Sequence, residues 1–176
     1  MIRPTSDRVR EAVFNILAHG VEGFSIDGSF VLDLFAGTGA LSLEALSRGA
    51  RFSLMVETDA AARGLIRDNV EAMGQTGTTK IYRRDATDLG LAGNRQPFTL
   101  VFADPPYGKG LGERALNSAA AGGWMALGAL VVLEERAGTL IDWPPGFELL
   151  DTRIWGDTQV VFARFTGIAT SAGSSR

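Results

Sequence analysis

Short apolar runs alternate with segments of helical periodicity along almost all of this chain, and that alternation leaves few folds open. Residues 30–35, 52–56, 99–103 and 129–133 read as strands apolar on both sides, the pattern of a parallel sheet covered on both faces. Residues 40–47 read as the helix after a glycine turn, closed by Gly49. Asp59 caps a further helix carrying Leu65, Ile66, Val70 and Met73 and ending at Gly74, and residues 111–121 form another. Ahead of the first strand, Thr5, Ser6 or Asp7 can cap a helix with Val9, Val13, Ile16 and Leu17 on one face and Gly20 at its end. A short strand is expected around residues 80–83. Near the end, residues 147–154 and 159–165 flank Trp155-Gly156-Asp157-Thr158, which predicts an antiparallel hairpin. Repeated strand–helix pairs mean a doubly wound α/β sheet with this hairpin at one edge. Residues 1–165 are expected to form one domain, and the small, polar residues 166–176 a disordered tail.

Bulk properties narrow the function classes. The chain has 176 residues, 45% of them apolar, enough for a sizeable core. No segment reaches the roughly 18 consecutive apolar residues that span a bilayer, and the first residues lack a signal-peptide core. With no cysteine and one histidine, thiolate and zinc sites are not expected. These features predict a cytoplasmic protein without a metal or a membrane partner; a monomer is expected, though none of these features fixes the oligomeric state. A net charge of −3 argues against broad adhesion to nucleic acid, but Arg3, Arg8 and Arg10, and Lys80, Arg83 and Arg84, form local basic clusters.

Two strand ends carry the chemistry. In an open parallel sheet, ligands sit beyond the carboxyl ends of the strands, and the first such turn reads Asp33-Leu34-Phe35-Ala36-Gly37-Thr38-Gly39. Gly37 and Gly39 allow close backbone approach and positive φ. A dinucleotide site would want a third glycine where this chain has Ser42. Asp33 inside the turn suits a cationic ligand, and S-adenosylmethionine carries an ammonium and a sulfonium but no phosphate. Glu57, closing the second strand, can accept both ribose hydroxyls of such a ligand. Asp85, after the third strand, can accept from the adenine amine, with Asp88 as a neighbour able to do the same.

The second turn, Asp104-Pro105-Pro106-Tyr107, follows the run Phe98-Thr99-Leu100-Val101-Phe102-Ala103. An exocyclic base amine is a poor nucleophile because its lone pair is delocalised into the ring. Acceptors on its two N–H groups draw the nitrogen toward sp³ geometry; the Asp104 carboxylate and the Pro105 carbonyl offer them. Pro105 and Pro106 stiffen the turn and remove backbone donors, and Tyr107 offers a face on which a flipped base can stack. Glu134 and Glu135 read as surface acids, His19 as a helix-end residue, and Trp124, Trp143 and Trp155 as packing residues.

With these residues in hand, the chain resembles the RsmD family of ribosomal RNA methyltransferases. The likeness rests on Arg3-Pro4-Thr5-Ser6-Asp7-Arg8-Val9-Arg10-Glu11-Ala12-Val13-Phe14-Asn15, on Asp33 through Leu41, on Leu43-Glu44-Ala45-Leu46-Ser47-Arg48-Gly49, and on Asp104-Pro105-Pro106-Tyr107. The opening stretch is the most specific of the four. The resemblance implies a Rossmann-like class I methyltransferase with a seven-stranded, mostly parallel sheet. It implies transfer of methyl from S-adenosylmethionine, leaving S-adenosylhomocysteine, to N2 of a guanine in 16S ribosomal RNA. The substrate would be the small ribosomal subunit or an assembly intermediate. It places Phe35 with Asp33, Gly37, Gly39, Glu57, Asp85 and Asp104 around the cofactor, and Arg3, Arg8, Arg10 and Tyr107 near the RNA. By the same resemblance, the opening stretch closes over the methionine end of the cofactor. Family members usually carry a basic, Gly- and Arg-rich segment before this opening, whereas this chain begins two residues before Arg3; the alternatives are a naturally short protein and a truncation.

Other readings draw on the same residues. An N6-adenine or N4-cytosine methyltransferase shares the Asp-Pro-Pro-Tyr chemistry, though a DNA enzyme of that kind normally adds a target-recognition domain. A non-catalytic cofactor-binding assembly factor would have no use for an amine clamp.

Overall fold

The computed structural model describes residues 6–168. It contains a seven-stranded sheet in the order β3-β2-β1-β4-β5-β7-β6. The strands are β1 (Phe30–Asp33), β2 (Phe52–Val56), β3 (Thr79–Tyr82), β4 (Phe98–Ala103), β5 (Met125–Arg136), β6 (Phe147–Trp155) and β7 (Thr158–Phe165). β1 to β5 pair in parallel, and β7 joins β5 and β6 antiparallel, as the alternation and the closing hairpin predict.

The helices are α1 (Asp7–His19), α2 (Ala40–Ser47), α3 (Ala60–Ala72) and α4 (Leu111–Ala121). Of the three candidate caps for α1, Ser6 serves: its Oγ accepts the Val9 N–H at 3.2 Å. Asp59 caps α3 in the same way, accepting from Ala62 at 2.8 Å. Successive strand residues face opposite sides, so each apolar strand feeds two cores. Val31, Leu100, Phe102, Leu130 and Val132 pack with α1, α2 and α3 on one face. Leu32, Val101, Val131 and Leu133 pack with Ala115, Leu116 and Ala119 of α4 and with Trp124 on the other. Phe102 is fully buried, its ring centroid 5.7 Å from that of Phe14; truncating it to alanine would cost about 3–5 kcal/mol.

On α3 Leu65 and Met73 are exposed, because the helix buries only the narrow stripe Ala62, Ile66 and Val70. One expectation needs correction. The fifth strand runs past its apolar stretch to Arg136, so Glu134 and Glu135 are not surface acids but 5% and 3% exposed. Thr166 donates its backbone N–H to the Gly146 carbonyl at 2.8 Å. The remainder of the expected tail, 169–176, lies outside the described residues, as do Arg3 and Thr5.

Strand order reverses at β1, with β2 on one side and β4 on the other. Asp33 stands opposite Phe102 in the β1–β4 register, and the Leu34 N–H donates to the Phe102 carbonyl at 2.9 Å. The two turns singled out in the sequence therefore leave the sheet side by side, at the point where α/β folds bind ligands.

Candidate active site

A cavity of about 850 Å³ opens over these strand ends. Its wall takes Phe35 and Gly37 from the turn after β1, Glu57 from the end of β2, Asp85 after β3, and Asp104, Pro105 and Pro106 after β4. Asp7 and Arg10 of α1 and Arg114 of α4 complete the rim.

The glycine turn is held from several directions. Gly37 and Gly39 have φ of 60° and 82°, the left-handed region that side chains resist. Gly39 is also the N-cap of α2, where a Cβ would stand 3.2 Å from the Met55 sulfur. Glu57 Oε1 accepts the Gly37 N–H at 2.8 Å, and its Oε2 accepts the Asp59 N–H at 3.0 Å. Asn69 Nδ2 donates to the Thr38 carbonyl at 3.0 Å, a tether that its place in the middle of a helix gave no reason to expect.

Asp33 lies beneath this turn and does not line the cavity. It is fully buried; its Oδ2 accepts from Ser42 Oγ at 2.6 Å, and that hydroxyl accepts from Ser53 Oγ at 2.7 Å. Its other oxygen has no hydrogen-bond partner. Burial, reinforced by the nearby Glu57 charge and opposed by the Ser42 hydrogen bond, raises its pKa from 3.8 to about 6. The residue read as a contact for a cationic ligand is thus a buttress, and Ser42, in the place of a third glycine, is its partner.

At the far end, Asp85 lines the cavity and the alternative Asp88 does not. Asp85 Oδ1 accepts from the Thr87 N–H at 2.8 Å and the Thr87 hydroxyl at 2.7 Å, which hold its carboxyl below the ordinary aspartate range. Arg114 adds a smaller effect of the same sign. Arg84 also lines the cavity, its Nη1 donating to the Leu89 carbonyl at 2.9 Å and its guanidinium 4.9 Å from the Tyr82 ring centroid.

Tyr107 stands outside the cavity wall. Its hydroxyl donates to Glu134 Oε2 at 2.8 Å and lies 3.0 Å from the Thr158 hydroxyl, while the Arg136 guanidinium sits 5.6 Å from its ring centroid. The basic cluster of the opening stretch divides: Arg10 lines the cavity, paired with Asp7 at 3.0 Å, whereas Arg8 is exposed and faces elsewhere. Among the described residues, no group of three or more His, Cys, Asp or Glu could hold a metal ion, and no helix is long and apolar enough to cross a membrane.

Comparisons with known proteins bear on the chain that carries these two turns. A family model described as "Conserved hypothetical protein 95" matches residues 1–164. Over 135 residues the chain is 39% identical to Ribosomal RNA small subunit methyltransferase D of Escherichia coli (strain K12), an alignment covering 77% of this chain and 65% of that protein. This chain belongs to the RsmD family. The matched stretch spans just under two thirds of the length of that Escherichia coli relative. The protein of the same name from Haemophilus influenzae is 31% identical over 157 residues, 88% of this chain and 79% of that one. Among solved structures, the Escherichia coli protein yhhF superposes with a TM-score of 0.79 at 31% identity, covering 94% of this chain and 89% of that chain. An RNA methyltransferase from Salinibacter ruber, in complex with S-adenosyl-L-homocysteine, shares the fold with a TM-score of 0.69 at 14% identity. As an RsmD-family chain with this sheet order, the protein has the class I methyltransferase architecture.

Proposed function

We propose that this protein transfers a methyl group from S-adenosylmethionine to the exocyclic N2 amine of a guanine in small-subunit (16S) ribosomal RNA. The observation that carries this reading is the shared cavity, with Glu57 and Asp85 on one stretch of its wall and Asp104 and Pro105 beside them. Its volume of about 850 Å³ leaves room for a nucleoside cofactor and a base together. The residues present suit that cofactor. The left-handed glycines bring backbone close, and the carboxylates accept from hydroxyls and amines. When bound, S-adenosylmethionine supplies a methyl group on a cationic sulfur, open to in-line attack.

Each part of the wall then has a task. The Glu57 carboxylate accepts from the ribose hydroxyls while it secures Gly37. The Asp85 carboxylate, kept ionised by Thr87, accepts from the adenine amine. Asp104 and the Pro105 carbonyl accept from the two N–H groups of the guanine amine, aiming its lone pair and stabilising the positive charge that develops on nitrogen. The Asp104 carboxylate also stands where the departing proton is released.

Relatives named as small-subunit ribosomal RNA methyltransferases favour ribosomal RNA as the acceptor. In this reading residues 1–165 act as one catalytic domain, as a cytoplasmic monomer without a metal. Its partner is the small ribosomal subunit or an assembly intermediate. Incubation of unmodified small-subunit particles with labelled donor, followed by mapping of the methylated nucleotide, tests the proposal.

A further inference from the structure

The turn that would clamp the amine is rigid at one end only. Pro105 and Pro106 fix its start, but Gly108 and Gly110 follow with φ of 78° and 66°, and glycines leave the chain free to move. Acceptors that orient an amine must hold their places to within roughly half an ångström. Something other than local stiffness has to locate this turn.

The end of β5 supplies it. Glu134 Oε2 accepts from the Tyr107 hydroxyl at 2.8 Å, and Glu135 Oε1 accepts from the Gly108 N–H at 3.0 Å. Neighbouring residues of a strand point to opposite faces, so this pair reaches the turn from both sides of the sheet. Thr158, opening β7, adds its hydroxyl 3.0 Å from that of Tyr107. Both carboxylates are buried, at 5% and 3% exposure, a placement seldom found for glutamate without bonded partners. We infer that Glu134 and Glu135 are positioning residues for methyl transfer, acting through the Tyr107 hydroxyl and the Gly108 N–H to hold Asp104 and Pro105 against the acceptor amine. The inference rests on the proposed amine methylation and adds to it the residues that set the geometry.

Consequences differ from those of a merely structural bond. Tyr107→Phe keeps the ring and removes the hydroxyl. With small-subunit particles as substrate, it should lower kcat by about ten- to a hundredfold, the cost of a small misplacement at the reacting centre. KM for the particle and the affinity for S-adenosylhomocysteine should stay within about twofold of the parent, because the cofactor wall is untouched. Glu134→Ala should give the same loss, and the double variant no more than the worse single one, since both changes break the same hydrogen bond. Glu134→Gln, whose amide oxygen still accepts, should recover most of kcat. If Glu134→Ala does not fold, Tyr107→Phe and Glu134→Gln decide the matter. Parental kcat in Tyr107→Phe, or losses that multiply in the double variant, would overturn the inference. The parent and Asp104→Ala are measured first. A parent that transfers no label overturns the proposed function, whereas an active parent with an active Tyr107→Phe overturns the positioning role alone.

Discussion

Glu57 bridges the first two strand ends: one of its carboxylate oxygens accepts the Gly37 N–H at 2.8 Å while the other accepts the Asp59 N–H at 3.0 Å. The carboxylate proposed to hold the cofactor ribose therefore also shapes the glycine turn. Glu57→Ala should weaken S-adenosylhomocysteine by roughly 1.5–3 kcal/mol, about ten- to a hundredfold, from a micromolar-scale parental value. NADH should show no measurable binding to either protein. Calorimetry with both proteins checks this, and unchanged affinity removes Glu57 from the site.

Asp33 makes folding sensitive to pH. Its pKa rises from 3.8 to about 6 on folding, so between those values the folded state binds the proton more strongly than the unfolded chain. The advantage is fully present below pH 3.8 and is lost as pH rises through 6, a change on the order of 3 kcal/mol. Asp33→Asn cannot ionise and should lack this component. Thermal unfolding of both proteins across this range should give Tm values whose difference, parent minus variant, falls as pH rises. Parallel curves would show that Asp33 ionises as easily in the fold as in the open chain.

Much of this site was legible in the sequence because strand ends are punctuated by chemistry. The apolar runs located β1, β2 and β4, and the residues just past them, Gly37, Glu57 and Asp104, line one cavity. Direction was harder to read. Asp33 is the last residue of β1, and strand alternation turns its side chain inward beneath α2, where Ser42 meets it. Glu134 and Glu135 looked like surface acids because charge ends an apolar run; their partners, Tyr107 and Gly108, lie 27 residues away and come close only through the β4–β5 pairing. Which apolar residues of α3 pack was equally hidden: the i, i+4 row of Ala62, Ile66 and Val70 is buried while Leu65 is exposed.

The opening helix divides two roles that its sequence runs together. Arg10 faces the cavity and Arg8 faces solvent. Arg10→Ala should weaken S-adenosylhomocysteine measurably. Arg8→Ala, alone or with Arg3→Ala, should leave that affinity within about twofold. For every arginine that neutralises a phosphate, its removal should lower the log–log salt slope of RNA binding by about 0.7–0.9. Salt titrations on the Arg8 variants decide it: a full parental slope rejects the RNA patch and leaves the opening helix to the cofactor site.

In the proposed reaction the chemistry turns on Asp104. Asp104→Ala should bind S-adenosylhomocysteine nearly as the parent does, because its work is on the acceptor amine. Its turnover should fall on the order of a hundredfold or more, the scale of removing one charged acceptor from a preorganised site. The most direct measurement follows label from S-adenosylmethionine into unmodified small-subunit particles, with the parent and Asp104→Ala side by side, and identifies the product nucleoside. The account predicts N2-methylguanosine from the parent and almost none from the variant. Label in N6-methyladenine or N4-methylcytosine, or equal labelling by the two proteins, would contradict it.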